Sequence, residues 1–579
     1  VFQPWSIVNP YWPANNPNFW PGMPAVQHRF HNATLAMPLL VGGPTPVPPW
    51  PVRPIGELFC AGQTWMADGR LLVAGGTRQY PIQSNGWFVG AKFVYQWDPL
   101  PQTGDPFGRW WQMADLEVDR WYPTVTYDGT SSHRGIVIGG TSWTPQYGTQ
   151  DVNSYEVVRI AYNAQPAPLL LAPPNDFDRK PAPGTQPNWP VGVPIPALSD
   201  RQYWGPFVPP IAPAAPPTPA FGDYPRVHAL GYLDPISTGT APRLFVSGFN
   251  GWGMRWAHDR FGDPAFGSSL GSIGFDIGQF PANNDSAVRY ATSLLLPASI
   301  GGISTQVARI GGFRGPITGN ASDLVETANV STPGSSWLSG AGSIPAMNHR
   351  RLLGNVVILP TGELFAVGGQ NVGALSNPPN PANDFNLIPE LLVGGTTWTD
   401  MAPHVGPRDY HSAAILLPTA QVLVCGGENR KNPGLPAGKD YIIWDPPYFH
   451  LDYGSVPLAG ITVSNNATGA VVPQDTINPA LGLQYGQTYR ATWTNALEPG
   501  IEVNSVVLMR PEALTHHDDG GQRMVRCLAW HDEDANSGPF GSVLFKSPTS
   551  ERHAPPGWWM LFLVTSAGRP SLAYWVHLV

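Results

Sequence analysis

The chain has 579 residues, of which only 12% are charged, and a net charge of −8 with no basic run. That length exceeds what one hydrophobic core serves. The charge pattern argues against nucleic acid or an anionic membrane surface as partner, and no apolar stretch reaches the ~20 residues of a membrane span. Glycine (64), proline (67) and tryptophan (23) are abundant while apolar content holds at 42%, a composition of turn-dense β structure rather than disorder.

From the N-terminus, one pattern recurs: an apolar run, a turn, a second apolar run, and a glycine pair or near relative. A weak copy at 30–43 opens the series. Clear copies follow at 58–76, 122–140, 227–249, 290–313, 351–369 and 410–427. Each reads as a hairpin turned at signals such as Ala67-Asp68-Gly69 or Pro360-Thr361-Gly362. Seven such units predict a seven-bladed Kelch-type β-propeller over 1–455, because one four-stranded blade cannot bury its faces alone. The step between the second and third clear copies is long. Dense proline over 163–222 predicts an insertion there, running over the surface and poorly suited to central strands.

Past Pro446-Pro447-Tyr448-Phe449 the glycine pairs stop. Short strands such as GITVS, TYRATWT, NSVVLMR and GWWMLFLVTS predict an all-β second domain over 456–579, an immunoglobulin-like β-sandwich. Three cysteines cannot build a disulfide framework. Cys425 and Cys527 sit in apolar runs and read as buried thiols. Asp532-x-Asp534-x-Asn536 has calcium-loop spacing at its start but lacks the closing glutamate, and reads as a solvated turn. Val1 stands where an initiating methionine would be, which points to a processed or trimmed start. Low charge with high proline and tryptophan suits a secreted protein, here expected to be a monomer.

The chemistry-bearing residues lie far apart. Tyr410 and His411 precede a strand-like run ending in Gly426-Gly427, and Thr515-His516-His517-Asp518-Asp519 comes about a hundred residues later. A phenolate and imidazoles are what a copper site with mixed N/O ligands requires. His517 is expected to be an exposed neighbour, since adjacent residues on an extended segment face opposite sides.

Seven motifs occur together and in order. They are Phe59-Cys60-Ala61-Gly62, Arg120-Trp121-Tyr122, Gly139-Gly140-Thr141-Ser142-Trp143, Gly368-Gly369-Gln370, Arg408 to Ser412, Thr515-His516 with Gln522-Arg523, and Pro555 to Phe562. With them the chain resembles the galactose oxidase and glyoxal oxidase family of copper radical oxidases. The resemblance implies a copper ion held by Tyr122, Tyr410, His411 and His516, and a protein-derived cofactor in which a thioether joins Cys60 to the ring of Tyr122. It further implies Trp143 stacked over that ring and Gln370 near the substrate. The implied activity oxidises a primary alcohol or aldehyde, a small molecule, and reduces O2 to H2O2. The alternative is a non-catalytic Kelch propeller that binds a glycan or protein.

Overall fold

The turn signals act where the chain must reverse. In the computed structural model, Ala61–Trp65 returns as Leu71–Gly75 across Gly69 (φ 81°), and Asn355–Ile358 returns as Leu364–Val367 across Gly362 (φ 91°). The structure describes residues 39–40, 43–44, 58–79, 88–98, 109–113, 115–129, 133–144, 148–152, 155–160, 199–204, 224–231, 243–247, 253–257, 276–278, 288–314, 320–330, 337–340, 343–373, 380–404, 406–427, 441–450, 458–474, 478–532 and 541–579. Among these the chain is all-β, with helix confined to single turns such as Pro381–Asp384.

The chain forms two compact units. The first comprises Val1–Tyr127 with His133–Pro225, and the second Asp128–Ser132 with Arg226–Val579. In the first, two antiparallel four-stranded sheets start at Ala61 and Thr124. In the second, four-stranded sheets start at Val227, Thr292 and Asn355, and a three-stranded sheet at Ser412. Consecutive strands pair within each sheet, as expected of propeller blades. Six such sheets lie among the described residues. The weak copy at 30–43 lies outside them except for the two-residue strands Leu39–Leu40 and Gly43–Pro44. The proline-rich stretch is not insertion throughout: Ser199–Trp204 pairs with Tyr155–Ile160 and supplies the fourth strand of its sheet. Its other parts lie outside the described residues.

The glycine pairs have a specific partner. Arg120, Arg351 and Arg408 are buried and donate to the carbonyls of Gly139, Gly368 and Gly426 in their own repeats. Their own carbonyls accept from Gly76, Gly312 and Gly369 of the preceding repeats, at 3.1, 2.7 and 2.7 Å. A Cβ on Gly75, Gly311 or Gly368 would collide with the same carbonyls, so only glycine lets neighbouring sheets close this tightly. Arg120 and Arg351 also pair with Glu156 (3.1 Å) and Glu390 (2.7 Å), so their charges are not left alone in the core.

From Thr462 onward seven strands form two layers. Thr462–Asn465, Thr488–Thr492 and Ser542–Lys546 form one layer with the second half of Met524–His531. Val503–Met509, Gly557–Thr565 and Tyr574–Leu578 form the other with its first half. The strand Met524–His531 therefore switches layers, pairing through 524–527 on one side and 528–531 on the other. Between the layers lie Val463, Tyr489, Leu508, Val525, Phe545, Trp559 and Leu561. The second layer is apolar on its outer face too. Met509, Met524, Met560, Phe562 and Val564 pack with Val357, Phe365, Ala414 and Val424 of the repeat sheets. That is why WWMLFLV shows no alternation: both faces of the strand are buried.

Asp532 is not in a solvated turn. It is buried and accepts from Arg490 Nε at 2.6 Å and from Ser542. Cys527 is buried, whereas Cys425 is only half-buried.

Candidate metal centre

In the second unit, the loop between strands Val503–Met509 and Met524–His531 carries His516. Contacts from four of its residues tie it to different repeats. The Gln522 side-chain oxygen accepts from the Ile358 amide at 2.5 Å and its nitrogen donates to the Val356 carbonyl at 3.2 Å, so the carboxamide behaves as one more strand residue. Glu512 accepts from the Leu416 amide at 3.2 Å. Gly520 lies so close to the Val227 carbonyl that a Cβ would strike it. Asp518 faces Arg226 at 3.6 Å. The loop thus brings His516 to the inner strands, as the sequence requires if His516 is to meet His411.

They do meet. His411 Nε2 and His516 Nε2 lie 2.9 Å apart although 105 residues separate them. The Tyr410 ring stacks on His411 with centroids 3.9 Å apart and meets His516 at 5.4 Å in an edge arrangement. Thr515 Oγ1 lies 2.9 Å from His516 Nδ1. If Nδ1 donates to that hydroxyl, Nε2 presents a lone pair, which is the tautomer a metal needs. Burial, with His411 and His517 nearby, holds the His516 pKa well below the usual imidazole value, so the ring is neutral. Two ring nitrogens face each other at this distance either by sharing a proton or by sharing a cation. Two imidazoles beside a phenol are a donor set that suits Cu(II).

His517 is buried, not an exposed neighbour. It has 0% exposure, and among the described residues neither ring nitrogen has a hydrogen-bond partner. Both His516 (φ 48°) and His517 (φ 65°) are left-handed, so the segment is not extended and the alternation expected of a strand does not apply. Gln370 is buried at 7% exposure, and its main chain pairs with Leu352 in both directions, at 2.7 and 2.9 Å.

In the first unit, Cys60 and Tyr122 are both buried and both left-handed (φ 64° and 62°), and the Tyr122 amide donates to the Cys60 carbonyl at 3.1 Å. The Tyr122 ring is stacked by Trp121 (centroids 3.8 Å apart, planes 14°) and by Tyr224 (4.8 Å, 29°). Phe88 stacks on Trp121 at 4.6 Å. The Tyr224 amide donates to the Tyr122 carbonyl at 2.7 Å. Trp143 is on strand Thr141–Thr144, opposite Thr149, and its side chain lies outside the described residues. Sequence reasoning missed Trp121 as a stacking ring and missed Tyr224 altogether. The available signal was Tyr224-Pro225, which repeats Tyr122-Pro123 just ahead of the next inner strand.

Comparison with known proteins bears on this site. Residues 473–578 match the family model of the galactose oxidase-like early set domain. Aldehyde oxidase GLOX1 of Arabidopsis thaliana is 28% identical over 237 residues, 40% of this chain and 36% of that protein. Galactose oxidase of Gibberella zeae is 27% identical over 218 residues, 38% of this chain and 28% of that protein. The chain therefore spans between 28% and 42% of the length of the curated relatives it matches. A solved structure described as a novel fungal alcohol oxidase of the AA5 family in complex with copper superposes with TM-score 0.58 at 18% identity, covering 90% of this chain and 86% of that one. That match shows a shared fold.

Proposed function

We propose, from the premise that the chain belongs to the galactose oxidase and glyoxal oxidase family, that it is a secreted copper radical oxidase of primary alcohols or aldehydes. The observation that carries this reading is the 2.9 Å convergence of His411 Nε2 and His516 Nε2 beside the Tyr410 ring. Tyr410, His411 and His516 would hold copper, with Tyr122 as the fourth ligand carried over from the family. The relatives' names, aldehyde oxidase and galactose oxidase, support the reaction class. The division into a propeller over 1–455 and a sandwich over 456–579 that lends it His516 is part of the same proposal.

Copper, when bound, would supply a one-electron acceptor and a template for substrate oxygen. The remaining work falls to this chain's own groups. Tyr410 accepts the substrate hydroxyl proton. The oxygen of Tyr122, oxidised to a radical and stabilised by a thioether to Cys60, takes a hydrogen atom from the adjacent carbon. The net change is alcohol plus O2 to aldehyde plus H2O2, which conserves both hydrogens and both electrons. Trp121 and Tyr224 cover the Tyr122 ring and limit its access to water. Trp143 as a further shield and Gln370 as a substrate contact belong to the same proposal.

The test is a mass measurement with oxygen uptake. Copper-loaded protein should lose two hydrogens on forming the Cys60–Tyr122 link and consume oxygen with a primary alcohol or aldehyde. Cys60→Ser should do neither while still folding. Wild-type turnover in Cys60→Ser would remove the radical assignment. Copper-loaded wild type with neither mass loss nor oxygen uptake would leave a binding module.

A further inference from the structure

Arg510 and Arg523 stand at the base of the loop that carries His516. The Arg510 amide donates to the Arg523 carbonyl at 2.9 Å, closing the loop where strands Val503–Met509 and Met524–His531 begin to pair. Both residues are buried, at 8% and 3% exposure. Other buried guanidiniums of this unit are matched by a carboxylate: Arg309 by Glu326 at 2.6 Å, Arg351 by Glu390 at 2.7 Å, and Arg226 by Asp518 at 3.6 Å. Arg523 is not. Among the described residues it forms no ion pair, and its Nε and Nη2 atoms are covered from solvent without a hydrogen-bond partner. Those two N–H groups lie along one edge of the planar guanidinium and point the same way, the two-pronged donor that matches two oxygens of one oxyanion.

Among the described residues nothing around Arg523 supplies a counter-charge. The titratable groups that share its field are Arg510, His228, His553 and Tyr485. Arg510 is a second cation. Burial, with Arg523 and Arg226 nearby, brings His228 down to about 3, and burial lowers His553 as well, so both rings are neutral. His228 Nε2 is taken up by Ser293 Oγ at 2.7 Å, and its Nδ1 is a further buried nitrogen with no partner there. The Tyr485 hydroxyl donates to the Ala554 carbonyl at 2.8 Å, and burial raises its pKa well above the usual phenol value, so it stays protonated. The carboxylates of the loop are engaged elsewhere: Asp518 faces Arg226, Asp519 accepts from the Gly521 amide at 3.0 Å, and Glu512 accepts from the Leu416 amide. Burial, then Arg510, pushes the Arg523 guanidinium down to about 9. A buried cation left in this state is costly unless something charged and hydrogen-bonding meets it.

We infer that Arg523 anchors a buried anion site in the second unit, whose Nε–H and Nη2–H edge takes two oxygens of a small planar oxyanion of the formate or bicarbonate kind. Two parallel charge-assisted hydrogen bonds satisfy both donors, and the negative charge offsets Arg523 beside Arg510. Chloride, a single point of charge, cannot meet both prongs along their axes. At 3% exposure the edge admits a small anion and not a nucleotide or a sugar phosphate. Bound there, the anion braces the base of the loop that carries His516, with or without copper in place.

The test is a titration of the full chain, dialysed free of small anions at neutral pH, with sodium formate, sodium bicarbonate and sodium chloride at matched ionic strength. Calorimetry of wild type should show saturable binding of formate or bicarbonate at a single site, and whichever binds more tightly names the source. The thermal midpoint should climb on the order of 1 °C for each tenfold increase in that oxyanion, and less with chloride. Arg523→Lys keeps the charge and loses the two-pronged edge, so it should bind the preferred oxyanion about tenfold more weakly or worse. Arg523→Met removes the charge; it should lose the response altogether and be no less stable than anion-free wild type. No saturable binding in wild type, an equal response to chloride, or wild-type affinity in Arg523→Lys overturns the inference. If neither variant folds, the wild-type titration decides alone, because a point charge would not separate formate or bicarbonate from chloride at equal ionic strength.

Discussion

Replacing Gln522 with leucine tests whether the loop that presents His516 is held where its hydrogen bonds place it. Gln522 is 4% exposed, and its two bonds go to main-chain groups of Val356 and Ile358, which are 5% and 0% exposed. Leucine preserves much of the volume but leaves one amide and one carbonyl buried without a partner. Each orphaned group costs about 1–3 kcal/mol, so the substitution should cost roughly 2–6 kcal/mol. The lower part of that range is expected because the bond to Val356 is the longer, at 3.2 Å. Urea unfolding should show a lower midpoint at unchanged slope. The second consequence is local: with its anchor gone, His516 should bind copper about 10–100-fold more weakly, the usual scale for disturbing a residue that orients a ligand. A Cu(II) titration of the folded variant reads this directly. An unchanged unfolding midpoint, or an unchanged copper affinity, would show that the contacts of Glu512, Asp518 and Gly520 hold the loop and that Gln522 does not position the histidine.

Four further outcomes follow from the structure. His516→Ala should lose most of the copper affinity at modest cost to folding. His517→Ala, which empties a fully buried site, should cost about 2–4 kcal/mol of stability and change copper affinity less, so the opposite ranking in titrations would show the ligand to be His517. Tyr410→Phe keeps the ring that stacks on His411, and so should retain copper and the Cys60–Tyr122 link while slowing substrate oxidation about 10²–10⁴-fold in steady-state oxygen uptake; retained activity would place the proton elsewhere. Alkylation of native protein should modify half-buried Cys425 before Cys527, whose thiol burial pushes up to about 12, and peptide mapping that finds Cys527 modified first would contradict the burial described.

Much of the repeat architecture could be read in the sequence because each sheet announces itself twice, through a turn signal and a closing glycine pair. Less legible was what the pairs are for. Their partner is the arginine of the next repeat, about forty residues on, and no local pattern links Gly75-Gly76 to Arg120. His411 and His516 were legible as a pair because each lies in a distinctive short motif. The burial of His517 was not, since it depends on two consecutive left-handed residues that a histidine pair does not advertise. The layer switch in Met524–His531 was equally hidden, because MVRCLAWH reads as one ordinary strand whichever neighbours it takes. Trp121 was in plain view within Arg120-Trp121-Tyr122. Adjacent residues on a regular strand cannot stack, but those at a left-handed bend can.

The double-sided layer formed by the strands from Thr462 onward sets a limit on how this protein can be divided. A chain ended near residue 456 would leave Val357, Phe365, Ala414 and Val424 facing water, and the excised segment would bare Met509, Met560, Phe562 and Val564 along one face. Each fragment would then carry a sticky apolar surface of the kind that drives aggregation. Expression of the chain cut at that boundary should therefore yield inclusion bodies from both pieces, and co-expression of the two should recover soluble material. The part of the molecule that delivers His516 is in this sense also a lid on the core beneath it, and selection for solubility alone would keep it in place.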